Sequence, residues 1–230
     1  MSRFFWYGTY ILQYLNQMAP CVFLAVVGFV LVSPWRKKRL TAQDQISGRR
    51  REGLLFFFVI FCAGLAALTV FPAGLWTYLI RHYSNPSGWT ELPDLALFYP
   101  SWEEIMAETD YRNLFNPFQE IYRGLTAGPW VFFMLLGNIV MFIPLGCVPA
   151  LLWKKPSVWK ALLCGVSVSG TIEFVQFFIG RSTDIDDILL NTFGTLIGYW
   201  IFCLARFLFP EGCAGFRCHK RGEGLNGTFS

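Results

Sequence analysis

The sequence predicts an all-α integral membrane protein with about five transmembrane helices. Its 230 residues are 54% hydrophobic and only 15% charged, which is too little charge to cover the surface of a soluble domain of this length. Several apolar runs reach the ~20 residues that a helix needs to cross the ~30 Å hydrocarbon core of a bilayer. Basic loops alternate with an acidic segment, which is typical of a multi-pass membrane protein.

Residues 1–209 form one predicted membrane domain. The aromatic stretch at residues 1–17 is typical of a helix that lies in the membrane interface. Pro72 is expected to kink the second span or to mark its end, because proline removes a backbone donor. No internal repeat is visible, which disfavours an inverted-repeat transporter. The predicted spans cover residues 18–35, 53–76, 129–153, 158–179 and 187–209.

The distribution of charge predicts the orientation of the spans. The loop after the first span holds seven basic residues, in Arg36–Arg39 and Arg49–Arg51, and such loops stay in the cytoplasm. Residues 77–128 hold seven acidic residues and three arginines, so this segment is expected to be extracytoplasmic. We therefore expect the N-terminus outside and the C-terminus inside, with a disordered, basic cytoplasmic tail at residues 210–230.

The acidic segment contains the signature of one short helix. Ser101 and Glu104 have the spacing of a capping box, which predicts a helix over residues 101–109. This helix is expected to lie on the membrane surface, with its charges as a solvated face rather than as a site.

The sequence disfavours metal, cofactor and nucleic-acid sites. Five of the seven cysteines lie within apolar runs, where cysteine is typically a small buried hydrophobe. Cys213, Cys218 and His219 have no second pair of ligands nearby, so neither a metal nor a cofactor is expected. No basic run interleaved with exposed aromatic residues suggests a nucleic-acid partner.

The stretch from Ser169 to Gly198 combines apolar character with several polar groups. Ionisable groups in or at the rim of a bilayer are costly, so they mark a candidate functional site. At ~1.5 Å per residue, Glu173 should lie about 10 Å inside the fourth span, where no helix cap is expected to use it. The candidate binding residues are Asn138, Glu173, Gln176, Arg181, Asp184, Asp187 and Asn191.

Partners for Glu173 are expected from other parts of the chain. Arg181 is too distant along the helix for an i+4 pair. The candidates are Asn138, Asn191, Arg112 and Arg123.

Helix caps explain part of the turn between the last two spans. Gly180 can end the fourth span in a left-handed conformation, and Arg181 suits the negative end of that helix. Asp184, or Ser182 or Thr183, can cap the fifth span. On these grounds alone the segment is an ordinary turn.

The fifth span carries a polar stripe that continues as a glycine pattern. Asp186 points away from this stripe, whereas Gly194 and Gly198 extend it as a small-xxx-small pattern that lets another helix approach closely. The stripe itself has the spacing i, i+3, i+7 and consists of Asp184, Asp187 and Asn191.

The same residues resemble a known family, the VanZ-like membrane proteins. The resemblance covers roughly residues 110–205. In this family an Asn-Leu-x-Pro-Phe motif often precedes the third span; here the segment reads Asn113-Leu-Phe-Asn-Pro117-Phe118, and either Asn113 or Asn116 takes the role of the motif's asparagine. The matching pattern comprises Asn138-Ile-Val-Met-Phe-Ile-Pro144-Leu-Gly146, Glu173-x-x-Gln176, Gly180-Arg181, Asp184-x-x-Asp187 and Asn191-x-x-Gly194-x-x-x-Gly198.

The resemblance implies a small bacterial protein of the cytoplasmic membrane that acts in the cell envelope. The family's namesake is associated with low-level resistance to the glycopeptide antibiotic teicoplanin. The resemblance establishes no catalytic residue.

Three functions fit the polar stretch. In the first, an outward-facing pocket binds a lipid-linked headgroup or an amphiphilic envelope-active compound. In the second, a membrane enzyme modifies an envelope lipid or lipid-linked precursor, with Glu173 or Asp187 as acid or base and Arg181 stabilising charge. In the third, a proton-coupled carrier uses Glu173 as a relay, which the lack of charge in the inner halves of the spans disfavours. The expected partners are membrane lipids or lipid-linked envelope precursors.

Overall fold

Long apolar helices dominate the structure. The computed structural model describes residues 3–72, 74–85, 89–108, 117–181 and 183–220. The predicted all-α membrane fold is confirmed by five helices within these ranges that are long and apolar enough to cross a membrane. They are Leu12–Ala42, Arg49–Val70, Val131–Leu152, Val158–Phe178 and Ile185–Leu208.

The described elements comprise nine α-helices, one 3-10 helix (Leu95–Leu97) and two short strands. The helices are α1 (Arg3–Ala42), α2 (Arg49–Val70), α3 (Leu75–Ser84), α4 (Trp102–Glu108), α5 (Gln119–Thr126), α6 (Pro129–Leu152), α7 (Val158–Phe178), α8 (Ile185–Leu208) and α9 (Pro210–Ala214). The strands are β1 (Gln45–Ile46) and β2 (His219–Lys220).

The first helix is longer than the sequence predicted. Instead of an interfacial helix over residues 1–17 and a span over 18–35, α1 runs unbroken from residue 3 to residue 42 with two prolines inside it. Membrane helices tolerate proline where neighbouring groups satisfy the freed backbone. The polar residues before Met18 suggested an interfacial boundary, but one of them, Gln17, is only 7% exposed and packs against α2.

The second helix ends earlier than predicted, at Val70 rather than near residue 76. Pro72 biases the preceding residue away from helical geometry, and Phe71 is accordingly extended (φ −96°, ψ 135°). Pro72 therefore marks the end of α2 rather than a kink. The chain turns at Gly74, whose φ of +85° is a left-handed conformation that costs glycine little, and α3 follows.

Helices α6, α7 and α8 begin and end within two residues of the last three predicted spans. The most extensive contact in the described chain is between α6 and α8. A Cβ at Gly194 would lie 2.1 Å from the Ile139 carbonyl oxygen, and one at Gly198 would lie 2.0 Å from that of Ile143. The small-xxx-small pattern thus allows the two backbones to touch, as expected.

The apolar side chains divide between a small core and a large outward surface. Leu65 of α2 packs in a buried cluster with Phe142 and Leu145 of α6. In contrast, Phe23 and Leu31 of α1 are 67% and 73% exposed. Such exposed apolar side chains suit a surface that faces lipid.

The bundle has two chemically distinct ends. The basic end comprises residues 36–51 (the end of α1, the loop that follows and the start of α2), the loop at 153–157 and residues 209–220. We call the opposite end the cluster end, because the predicted polar site residues lie towards it. It comprises the start of α1, the described parts of residues 71–128 and the turn at 179–184. The cytoplasmic location of the basic end, and with it the N-out, C-in orientation, stays a prediction from the charge rule.

Part of the C-terminal tail is ordered. Helix α9 buries Cys213, and β2 pairs antiparallel with β1 so that His219 lies opposite Ile46. The disorder predicted from glycine content and charge is therefore wrong for residues 210–220, because a buried side chain and backbone pairing hold them against the bundle. Residues 221–230 lie outside the described residues.

The predicted capping box in the acidic segment is present. The Ser101 backbone N–H and hydroxyl donate to Glu104 Oε2 (2.7 and 2.9 Å), and the Glu104 N–H donates to Ser101 Oγ (3.3 Å). The Ser101 backbone and hydroxyl hydrogen bonds hold the pKa of the Glu104 carboxyl below its ordinary value. Trp102 stacks on Phe178 of α7 at 5.7 Å between ring centroids. Five positions named in the predictions lie outside the described residues: Thr109, Arg112, Asn113, Asn116 and Ser182.

Candidate functional site

Two of the predicted site residues close the C-terminal end of α2. Gln176 Nε2 donates to the Thr69 carbonyl oxygen at 3.1 Å, and Arg181 Nη1 donates to those of Leu68 (3.2 Å) and Thr69 (2.9 Å). The last carbonyls of a helix have no partner within it, and leaving them unpaired in lipid is costly. Arg181 was expected at the end of its own helix, α7; it instead stabilises the negative end of α2.

Gln17 closes the same helix end from the side of α1. Its Nε2 donates to the carbonyl oxygens of Ala67 (3.0 Å) and Phe71 (2.7 Å). Side chains from α1, from α7 and from the turn after α7 therefore converge on the last turn of α2. Sequence reasoning missed Gln17, although an amide within the apolar run of α1 was a signal for it.

The turn after α7 is a Schellman motif built on Gly180. Its φ is +69°, its N–H donates to the Phe177 carbonyl (3.3 Å), and the Arg181 N–H donates to the Gln176 carbonyl (3.0 Å). A Cβ at Gly180 would lie 2.1 Å from Pro100, so the acidic segment packs directly on this turn. The predicted left-handed cap is confirmed, and it orients the Arg181 side chain.

Glu173 holds the start of α8. The Asp184 N–H donates to Glu173 Oε2 at 3.0 Å, and Asp184 Oδ1 in turn accepts from the Asp186 N–H at 2.9 Å as the N-cap of α8. Glu173 is only 4% exposed. The expectation that Glu173 serves no cap is therefore wrong, because the turn folds back over the end of α7 and brings a backbone donor to the carboxylate.

The amides that were expected to surround Glu173 bond elsewhere. Asn138 Nδ2 donates to Asp187 Oδ1 at 2.6 Å, which links α6 to α8. Asn191 Nδ2 donates to Ser169 Oγ at 2.9 Å, which links α8 to α7. The predicted polar residues lie at one end of the bundle, and these two hydrogen bonds link α8 to α6 and to α7.

Asp186, which was expected to point away from the polar stripe of α8, has a specific structural role. It is fully buried, and its two carboxylate oxygens accept from the backbone N–H groups of Phe118 (2.6 Å) and Ile121 (3.2 Å) at the start of α5. Phe118 is the N-cap residue of α5 and supplies no side-chain cap of its own. The residue before α5 is not Ser, Thr, Asp or Asn, the usual N-cap residues. This absence could have indicated from the sequence that another part of the chain caps the helix.

An open cleft lies beside the capped end of α2, between the start of α1 and α3. Its volume is about 530 Å³, which is typical of sites for small molecules or headgroups. The indole Nε1 of Trp76 is buried and has no partner among the described residues. The polar and aromatic lining residues are Gln13, Asn16, Gln17, Trp76, Thr77, Tyr78 and Arg81.

None of the seven predicted site residues belongs to the described lining of this cleft. Gln17 connects the two regions, because it lines the cleft and also bonds to the end of α2. Gln13, Asn16 and Gln17 are spaced i, i+3 and i+4, which places three amides on one face of α1. This spacing of amides could have indicated a polar site on α1 from the sequence alone.

The contacts of the carboxylates bear on the enzyme hypothesis. Glu173 and Asp187 each accept a hydrogen bond that joins two structural elements. Within the residues that the structure describes, no group of three or more His, Cys, Asp or Glu side chains is arranged to hold a metal ion. These contacts give both carboxylates a structural role at one end of the bundle.

Comparison with known proteins identifies the family. The family model described as VanZ/LLP1 matches residues 57–206, more than half of the chain. No curated protein and no solved structure gives a significant match. The matched range includes α3 and the polar links among α6, α7 and α8, whereas α1 and the tail after α8 lie outside it. On the strength of this match, the chain belongs to the VanZ/LLP1 family of membrane proteins.

Proposed function

We propose that this protein binds the polar head of an envelope amphiphile at the cluster end of the bundle. The ligand is a lipid-linked precursor or an amphiphilic envelope-active compound, and the cleft between α1 and α3 receives its head. The observation that carries the proposal is this open cleft, whose lining combines amides, hydroxyls, an indole and the guanidinium of Arg81.

The lining suits a ligand that is polar at one end and apolar at the other. Arg81 can take a phosphate or carboxylate, and Gln13 and Asn16 can both donate to and accept from sugar or peptide groups. Leu12 and Leu15 of α1, 61% and 55% exposed, continue from the cleft as an apolar surface. The hydrocarbon part of the ligand would lie along that surface, within the bilayer.

In this proposal the predicted residues hold helices in place at this end of the bundle and do not line the cleft. Through Gln176 and Arg181 they hold the end of α2, from which the chain turns into α3, and through Glu173 they hold the start of α8. Arg181 is itself exposed and offers a second cation to a large headgroup. With the cluster end facing outward, capture of an envelope precursor at this surface would account for a resistance to teicoplanin of the kind associated with the family's namesake.

The proposal is tested by binding to the purified protein in detergent. Native mass spectrometry with a polyprenyl phosphate should show a bound lipid, and Arg81→Gln should weaken its binding about tenfold or more, since a hydrogen bond to a charged group contributes about 1.5–3 kcal/mol. The matched control is Arg123→Gln, which removes an exposed arginine at the same end but outside the lining of the cleft. Equal affinities for the two variants would contradict binding in the cleft.

A further inference from the structure

Three arginines at the basic end each have one buried guanidinium nitrogen without a hydrogen-bond partner among the described residues. They are Arg36 (Nη1), Arg51 (Nε) and Arg217 (Nε). A buried donor on a charged group is costly to leave unpaired, and three such donors in one region call for an acceptor. All three residues lie outside the range 57–206 that the family model matches.

Arg36 and Arg51 belong to one cluster. Arg36 forms an ion pair with Glu52, the Ser47 hydroxyl donates to the other oxygen of the same carboxylate, and Arg51 Nη1 donates to Ser47 Oγ at 3.2 Å. The Glu52 carboxylate is thus engaged by Arg36 and Ser47. Nη1 of Arg36 and Nε of Arg51 still lack a hydrogen-bond acceptor among the described residues.

The pairing of the two short strands brings the segment that holds Arg217 beside the loop between α1 and α2. His219 lies opposite Ile46 in the antiparallel pair, so Arg217, two residues earlier, lies alongside the backbone that follows Ile46. Ser47 begins that backbone segment. The arginine cluster therefore draws its cations from α1, from α2 and from the segment before β2.

The charge of the cluster favours an anion with several oxygens. The three arginines carry three positive charges, and the Glu52 carboxylate that pairs with Arg36 offsets one of them. Guanidinium groups recognise phosphate oxygens through directed N–H donors. A phosphate ester could accept from the unpaired nitrogens of more than one arginine at once.

The position of the cluster favours a phosphate that belongs to a lipid. Arg36 and Arg51 lie near the ends of two candidate membrane spans, where headgroups are found. Leu31 and Trp35, on α1 just before Arg36, are 73% and 64% exposed. They offer an apolar surface to acyl chains directly beside the cations.

We propose that Arg36, Arg51 and Arg217 form a binding site for the phosphate of an anionic lipid at the basic end of the bundle. The site lies at the opposite end from the cleft and does not depend on the function proposed there. It also explains why the tail after α8 returns to the loop between α1 and α2: the tail supplies the third arginine.

The test measures lipid binding to the full chain in detergent by native mass spectrometry, with phosphatidylglycerol as the probe. Arg51→Gln and Arg217→Gln should each weaken phosphatidylglycerol binding by about tenfold, the loss expected for one charge-assisted hydrogen bond. The matched control, Arg49→Gln, removes an exposed arginine from the same loop and should change binding less than about twofold. Equal binding by all three variants and the wild type would overturn the proposal.

Three further measurements separate a specific lipid site from the alternatives. Phosphatidylcholine, which has no net charge, should bind much more weakly than phosphatidylglycerol, and equal binding of the two would overturn the site. Excess inorganic phosphate should leave phosphatidylglycerol bound, whereas full displacement would show that the site takes free phosphate instead. Thermal unfolding without lipid should be unchanged for Arg217→Gln, because no described hydrogen bond is lost; a marked loss of stability would assign Arg217 a structural role.

Discussion

Gly194→Ala is expected to destabilise the bundle by about 1–3 kcal/mol or more, the usual cost of forcing extra atoms into a well-packed interface. A Cβ at this position would lie 2.1 Å from the carbonyl oxygen of Ile139 and 2.9 Å from its carbonyl carbon. These are backbone atoms of α6, so no side-chain rotation can relieve the clash. Helices α6 and α8 would have to move apart, although their contact is the most extensive between any two described elements. Thermal unfolding in detergent, followed by circular dichroism, measures the loss.

The matched control for Gly194 is Gly137→Ala on α6. A Cβ at Gly137 meets no atom within 4 Å. Because alanine is the better helix former by up to ~1 kcal/mol, this variant should be as stable as the wild type or more so. Equal loss of stability in the two variants would contradict the close backbone contact between α6 and α8.

Asp186→Ala is expected to release the start of α5 from the bundle. The substitution leaves the N–H groups of Phe118 and Ile121 without their acceptor, and a hydrogen bond to a charged group contributes about 1.5–3 kcal/mol. Hydrogen exchange should therefore accelerate at the amides of residues 118 and 121. Exchange within α6 should change much less, because α6 keeps its contacts with α8.

Asp186→Asn provides the graded control. The amide keeps one acceptor oxygen in nearly the same volume, so its effect should lie between those of the wild type and Asp186→Ala. Unchanged exchange at Phe118 and Ile121 in the alanine variant would show that these donors have another acceptor, and the assigned role of Asp186 would be lost.

Features that depend on local spacing were predictable from the sequence. The apolar runs indicated the long helices, because a helix that crosses lipid must be long and apolar over its whole length. Ser101 with Glu104 indicated a capping box, Gly180 a left-handed helix end and Asp184 an N-cap, and the structure has all three. Each of these features needs only residues within a few positions of one another.

Features that depend on distant contacts were not predictable. The carboxylate of Asp186 caps a helix 68 positions earlier, and Gln17 closes a helix end more than 50 positions later. Glu173 lies within a helix that is long and apolar enough to cross a membrane, as expected, but its partner depends on how the following turn folds back. Local spacing carries no information about which of several buried polar groups will meet.

The cleft was missed for a related reason. It exists because α2 stops at Val70 and α3 begins after Gly74, which leaves space beside the start of α1. The sequence placed the end of the second span near residue 76 and a boundary inside α1. With those helix ends, α1 and α3 would not have faced each other across a gap.

The central claim is that the cleft contacts the ligand, while the buried polar groups hold helix ends. The most direct test compares polyprenyl phosphate binding by Glu173→Gln and Arg81→Gln. Glutamine keeps an acceptor oxygen for the Asp184 N–H, so we predict that Glu173→Gln binds within about twofold of the wild type and that Arg81→Gln loses about tenfold or more. The claim is contradicted if Glu173→Gln abolishes binding while Arg81→Gln retains it.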